Sequence, residues 1–207
     1  SSPRLLLLSG IHGDEYGVIS CVKEYIKKHE KTLPDFLYIP QVSPSAIALK
    51  TRVNARGLDL NRYFYDDTTE PEIQAVMDIV KPFQFSLCVS FHEDRDWTKE
   101  FYIYDTEKLS DEDIKTLRST IIETGATLFT GIDDPEDANL GLHVTDGYVY
   151  FPLTAHPPNA GFSWVWLLSK GVVTRAFDPE IPGKASMELK KSLVRALFLY
   201  MTKTFQL

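Results

Sequence analysis

Four consecutive leucines at 5–8, stopped by Gly10, describe a strand buried on both faces, because an unbroken apolar run of that length leaves no side for water. Behind it Val18, Ile19, Val22, Tyr25 and Ile26 recur at helical spacing with lysines between them, which predicts an amphipathic helix over 15–29. A buried strand, a tight turn and an amphipathic helix in that order commit the chain to helices packed on a sheet. The turn carries His12 and Glu15, with Gly10 and Gly13 freeing its backbone. Open α/β sheets collect their functional groups at such strand ends.

The same alternation continues. A strand is expected at 36–42, a helix at 70–81 after Glu70-Pro71, and a buried strand at 85–91 that delivers His92 at its end. Further on come a strand at 101–104, a helix at 111–124 opened by Ser110 and stopped by Gly125, and a core strand at 172–177. The last helix, 184–204, gathers Leu189, Leu193, Ala196, Leu197 and Tyr200 on one face. The stretch 131–170 is rich in Asp, Pro and Gly, has no clear period, and is expected to form the wall of a substrate pocket. No repeat, low-complexity tract or linker divides the chain, so one domain over 1–207 is expected. The fold expected is a three-layer α/β/α sandwich around a mixed, mostly parallel, twisted central sheet.

Charge narrows the partners. With 22 basic against 29 acidic residues and a net charge of −7, the chain is unsuited to nucleic acid, and a peptide or small carboxylate-bearing molecule is the expected partner. Cys21 and Cys88 sit in apolar stretches, as buried free thiols do, which favours a reducing compartment such as the cytoplasm. No apolar run reaches the roughly eighteen residues a membrane span needs, and the leucines at 5–8 are too few for a signal peptide. The chain opens on Ser-Ser-Pro without methionine and enters a strand at once, so native residues upstream are expected to be missing.

His12 and Glu15, three residues apart, with His92 far downstream, form the donor set of a catalytic zinc site, two imidazoles and a carboxylate that leave a fourth position for water. His-x-x-Glu alone is a weak signal. It gains specificity from the run Arg-Val-Asn-Ala-Arg-Gly-Leu-Asp-Leu-Asn-Arg-Tyr-Phe at 52–64, where Asn61 and Arg62 place an amide beside a planar guanidinium, a pair suited to grip a carboxylate. Arg56 next to Gly57 reads as a turn residue at the surface. His29, His143 and His156 lack partners at ligand spacing and are expected to stay outside the site, while Glu93 and Asp94 either orient His92 or face solvent.

These motifs resemble the zinc carboxypeptidase family, in particular its compact bacterial members, and the same skeleton fits the related succinylglutamate desuccinylase and aspartoacylase group. The resemblance implies one zinc ion on His12, Glu15 and His92, Asn61 and Arg62 on the substrate's carboxylate, and Arg52 polarising the scissile carbonyl. It also implies a base glutamate on a late core strand in a Thr-x-Glu pattern. Matching that pattern to Thr174-Arg175-Ala176 puts Ala176 in the expected slot, with Asp178 and Glu180 as nearby candidates for the base. A loop tyrosine covers the substrate in such enzymes, and Tyr148 and Tyr150 lie where one is expected. Three activities follow as expectations: a zinc metallocarboxypeptidase acting on a peptide or a peptidoglycan-derived stem, an N-acyl amino acid deacylase, or a carboxylate-binding pseudoenzyme weakened by Ala176.

Overall fold

The leucine run forms β1 (Leu5–Ser9), buried throughout. In the computed structural model, which describes residues 4–134, 136–137, 140–155 and 160–205, β1 lies between two parallel neighbours, β2 (Phe36–Ile39) and β3 (Leu87–Asp94). The intervening helices are α1 (Tyr16–His29), α2 (Pro44–Leu49) and α3 (Pro71–Val80). There follow β4 (Glu100–Asp105), α4 (Asp111–Ile122) with Ser110 accepting from the Asp113 amide as its N-cap, β5 (Thr127–Leu128), β6 (Gly131–Ile132), β7 (His143–Val144) and β8 (Tyr148–Tyr150). The chain closes with α5 (Ser163–Ser169), β9 (Ala176–Pro182) and α6 (Met187–Thr204).

The sheet runs β2-β1-β3-β9-β4-β5, with β8 also paired to β4 and a separate ribbon of β6 and β7. Within the main sheet, among the described residues, only the β4–β9 pair is antiparallel. Strand alternation sorts the core into two layers. Leu5, Leu7, Val89 and Phe91 pack with Val18 and Val22 of α1, Leu117 and Ile121 of α4, and Leu193 and Leu197 of α6. Leu6, Leu8 and Cys88 face the other way, toward Ile73 and Met77 of α3 and Trp164 and Leu167 of α5. This is the three-layer sandwich with a mixed, mostly parallel sheet. Among the described residues no helix is long and apolar enough to cross a membrane.

One core strand departs from expectation. The strand expected at 172–177 occupies 176–182 instead, and Val173 makes only an isolated bridge to Phe85. Pro179 and Pro182 argue against a central strand at the level of sequence, because proline cannot donate to a ladder. The structure accommodates Pro179 by a gap: β3 pairs with β9 at Cys88↔Ala176 and Val89↔Phe177, and the ladder resumes only at His92↔Glu180. The aperiodic stretch 131–170 contains short strands and α5.

Candidate metal centre and active site

After β1 the chain turns through residues 10–15 before α1 begins. Gly13 is packed so closely on α2 that a Cβ there would stand 1.9 Å from the Ala46 carbonyl oxygen, and its amide donates to Thr51 O at 2.9 Å. The turn bearing His12 and Glu15 is thereby fixed against the segment that leads into Arg52. A second close approach holds the Asn61–Arg62 segment: Gly161, at φ +69, would with a Cβ come within 2.2 Å of Arg62 O, and its own carbonyl accepts the Phe64 amide at 3.0 Å.

The structure brings His12, Glu15 and His92 together in one buried cluster, with one donor atom of each within 4.8 Å of the others. Glu15 Oε1 lies 2.5 Å from His12 Nδ1, and Glu15 Oε2 lies 3.2 Å from His92 Nδ1. The far ring nitrogens are each engaged elsewhere, His12 Nε2 with Asp59 Oδ1 at 3.1 Å and His92 Nε2 with Ser90 Oγ at 3.1 Å. Such contacts fix the rings and leave both Nδ1 atoms turned toward the carboxylate. Glu15 Oε2 is buried and makes no well-formed hydrogen bond among the described residues. Two imidazole nitrogens around an unsatisfied carboxylate oxygen fit a divalent cation.

Neither Asp59 nor Ser90 was singled out from the sequence. Asp59 is the first residue of the Asp-Leu-Asn-Arg motif, and it caps a short 3₁₀ turn, Leu60–Arg62, by accepting the Asn61 amide at 3.0 Å. The same carboxylate takes Arg52 Nε at 3.1 Å and Arg52 Nη2 at 3.0 Å. Asp59 thus joins the histidine cluster to Arg52.

The electrostatics follow from this packing. Burial works against the charged forms of His12 and His92, but the Glu15 carboxylate outweighs it and raises both above the ordinary 6.5, with Asp59 adding to the effect at His12. Burial would raise Glu15, yet the two histidines hold it far below the usual carboxylate range. Both shifts favour protons on the histidines, so a cation bound there would compete with protons.

A cavity of roughly 410 Å³ opens beside the cluster, lined by Arg52, Asn61, Arg62, Tyr102, Tyr104, Phe162, Trp164, Asp178 and Glu180 among others. Asn61 Oδ1 accepts the Ser163 amide at 3.2 Å, which ties the Asn61–Arg62 pair to the start of α5. Arg62 stacks on Phe162, its guanidinium carbon 4.2 Å from the ring centre, and is ion-paired with Asp137.

The register of β9 revises the assignment of Ala176. That residue starts the strand opposite Cys88, fully buried in the core, while Glu180 stands opposite His92 and lines the cavity. Burial, reinforced by Glu15 and Asp94 against the pull of His92, pushes the Glu180 carboxyl well above its ordinary value. Asp178 shares its face of the strand, and burial pushes it up to about 7 against the opposing pull of His92 and the Ser90 amide.

Other candidates separate cleanly. Glu93 points to the opposite side of the sheet, where it pairs with Lys190 Nζ at 2.9 Å and accepts the Val18 amide at the start of α1. Asp94 accepts the Tyr102 hydroxyl at 2.7 Å. Neither orients His92; Ser90 does. Tyr148 is buried with its hydroxyl on Asp105 at 2.8 Å, and Tyr150 is exposed away from the cavity, so the tyrosines at the site are Tyr102 and Tyr104. Arg56, itself exposed, pairs with the buried Glu70 at 2.9 Å, away from the cavity lining. His29 stacks on Tyr25 and His143 lies exposed on β7, both apart from the cluster; His156 lies outside the described residues.

The architecture has known counterparts. A putative metallopeptidase from Shewanella amazonensis SB2B superposes with a TM-score of 0.77 at 17% identity, over 98% of this chain and 77% of that one. The chain has a carboxypeptidase-like fold. A murein-tripeptide amidase from Escherichia coli O157 gives 0.59 at 20% identity, over 97% of this chain and 82% of that one. A succinylglutamate desuccinylase/aspartoacylase from Rhodobacter sphaeroides gives 0.58 at 17% identity, over 99% of this chain and 56% of that one. In sequence, the succinylglutamate desuccinylase/aspartoacylase catalytic domain family model matches residues 1–86, less than half of the chain. No curated protein matches the sequence.

Proposed function

We propose that the protein is a zinc-dependent metallocarboxypeptidase that hydrolyses an amide next to a free carboxylate in a peptide or peptidoglycan-derived stem. The observation that carries this reading is the buried His12, Glu15 and His92 cluster with Glu180 facing it from the next strand. His12, Glu15 and His92 would hold the ion, and zinc in such a site supplies a Lewis acid for the scissile carbonyl and lowers the pKa of water. Glu180, with its affinity for protons raised by burial, accepts a proton from the attacking water and delivers it to the leaving amine. Arg52, held by Asp59, presents its guanidinium to the oxyanion that develops on the carbonyl. Asn61 and Arg62 hold the substrate's carboxylate, which exchanges with Asp137 on Arg62.

A second reading, deacylation of an N-acyl amino acid, is favoured by the family model over residues 1–86. Both use the same residues on the same bond type. A panel of dipeptides set against N-acetyl and N-succinyl amino acids, assayed with zinc, decides between them; turnover of none defeats both. Glu180, opposite His92, supports a catalytic reading over the carboxylate-binding pseudoenzyme that Ala176 suggests.

A further inference from the structure

Asp178 is 4% exposed, lines the cavity, and its Oδ1 finds no hydrogen-bond partner among the described residues. A buried carboxylate oxygen left bare costs stability unless something completes it. The strand register puts Tyr104 beside Asp178 on the same face of the sheet, and Trp164 packs on Tyr104 at a ring separation of 5.9 Å. Trp164 follows Ser163, whose amide is bonded to Asn61. The carboxylate grip and this aromatic-walled acid are therefore neighbours in one cavity.

The charge of the cavity points the same way. Its three arginines already have acidic partners: Arg52 on Asp59, Arg62 on Asp137 and Arg95 on Asp14. Asp133, Asp134 and Glu136 also line the cavity, with Asp133 accepting the Tyr104 hydroxyl. Aromatic walls that end on a buried acid suit an aliphatic stem tipped by a cation, through ring faces and charge together.

We infer that the residue whose carboxylate is held by Asn61 and Arg62 bears a cationic side chain, which Asp178 receives within the same cavity. This rests on the proposed function for the carboxylate end and adds the class of side chain.

The test uses the zinc-loaded protein with dipeptides ending in L-lysine, L-norleucine or L-glutamate, together with calorimetric binding of the three free amino acids. Lysine should exceed norleucine, its neutral counterpart, by about tenfold or more in kcat/KM, the value of one charge-assisted hydrogen bond. Asp178→Asn should bring that ratio close to one, with Asp178→Ser as the alternative should the amide variant misfold. A parent ratio near one, a preference for glutamate, or a ratio retained in the variant overturns the inference while leaving the proposed function standing. Absence of all hydrolysis defeats the proposed function instead, and binding then decides: lysine bound about tenfold tighter than norleucine only when Asp178 is present supports the inference, and equal or undetectable binding overturns it.

Discussion

Glu180 stands opposite His92 across the β3–β9 ladder, at the point where pairing resumes after Pro179. Glu180→Gln should therefore lower hydrolysis by about a hundredfold to ten-thousandfold while zinc content, read by elemental analysis, stays the same. Ala176→Glu should restore nothing. It would place a carboxyl in a fully buried core position and destabilise the fold by about 2 kcal/mol or more, measurable by denaturant unfolding. Activity retained by Glu180→Gln would pass the role of base to another group.

Metal content should follow the cluster. Zinc near one ion per chain is expected in the parent and in His143→Ala, and loss of the ion in His92→Ala. Equal zinc in all three proteins would refute the three-ligand site.

Stability should depend on pH in opposite senses with and without metal. In the metal-free protein the raised histidines contribute most below their ordinary 6.5, and that contribution is lost as pH rises through the raised values; depressed Glu15 contributes above its ordinary 4.5 and fails only in strong acid. Zinc needs both imidazoles neutral, so its stabilisation grows over the same interval. The gap in Tm between zinc-loaded and chelator-treated protein should widen from about pH 6 to about pH 8. A constant gap would show that the histidines do not ligate.

Asp59→Ala removes the partner of His12 Nε2 and of Arg52 at once. Zinc affinity should fall about tenfold to a hundredfold by competition with a chromogenic chelator. An unchanged affinity would reduce Asp59 to a turn cap.

Asp137 occupies the guanidinium assigned to the substrate's carboxylate. Asp137→Asn should lower KM for carboxylate-bearing substrates about two- to fivefold, the worth of one partly exposed ion pair, with little change in kcat. A raised KM would show that Asp137 positions Arg62 for binding instead of competing for it.

Much of this was legible in the sequence because it is locally encoded. Leu5 to Leu8 and the helical spacing from Val18 to Ile26 state their burial through neighbours in the chain, and the turn between them had to carry His12 and Glu15 to a strand end. What was not legible depends on distant pairing. Glu180 reaches the site only through a strand that tolerates two prolines, against the local rule, and its register is set by β3 and β4. Asp59 bonds a histidine 47 residues away, so its motif could be seen but its partner could not. Tyr102 and Tyr104 face the cavity because β4 enters antiparallel to β9, a choice no short pattern records.

The position of β9 in the sheet bears on how the chain is made. The last strand among the described residues lies in the interior of the sheet, between β3 and β4, so both of those strands present a bare hydrogen-bonding edge on that side until the ribosome has passed residue 182. Unpaired edges are templates for intermolecular pairing. A chain truncated before residue 176 would keep all three residues of the metal cluster yet leave two open seams, and it should aggregate on expression instead of yielding a smaller domain.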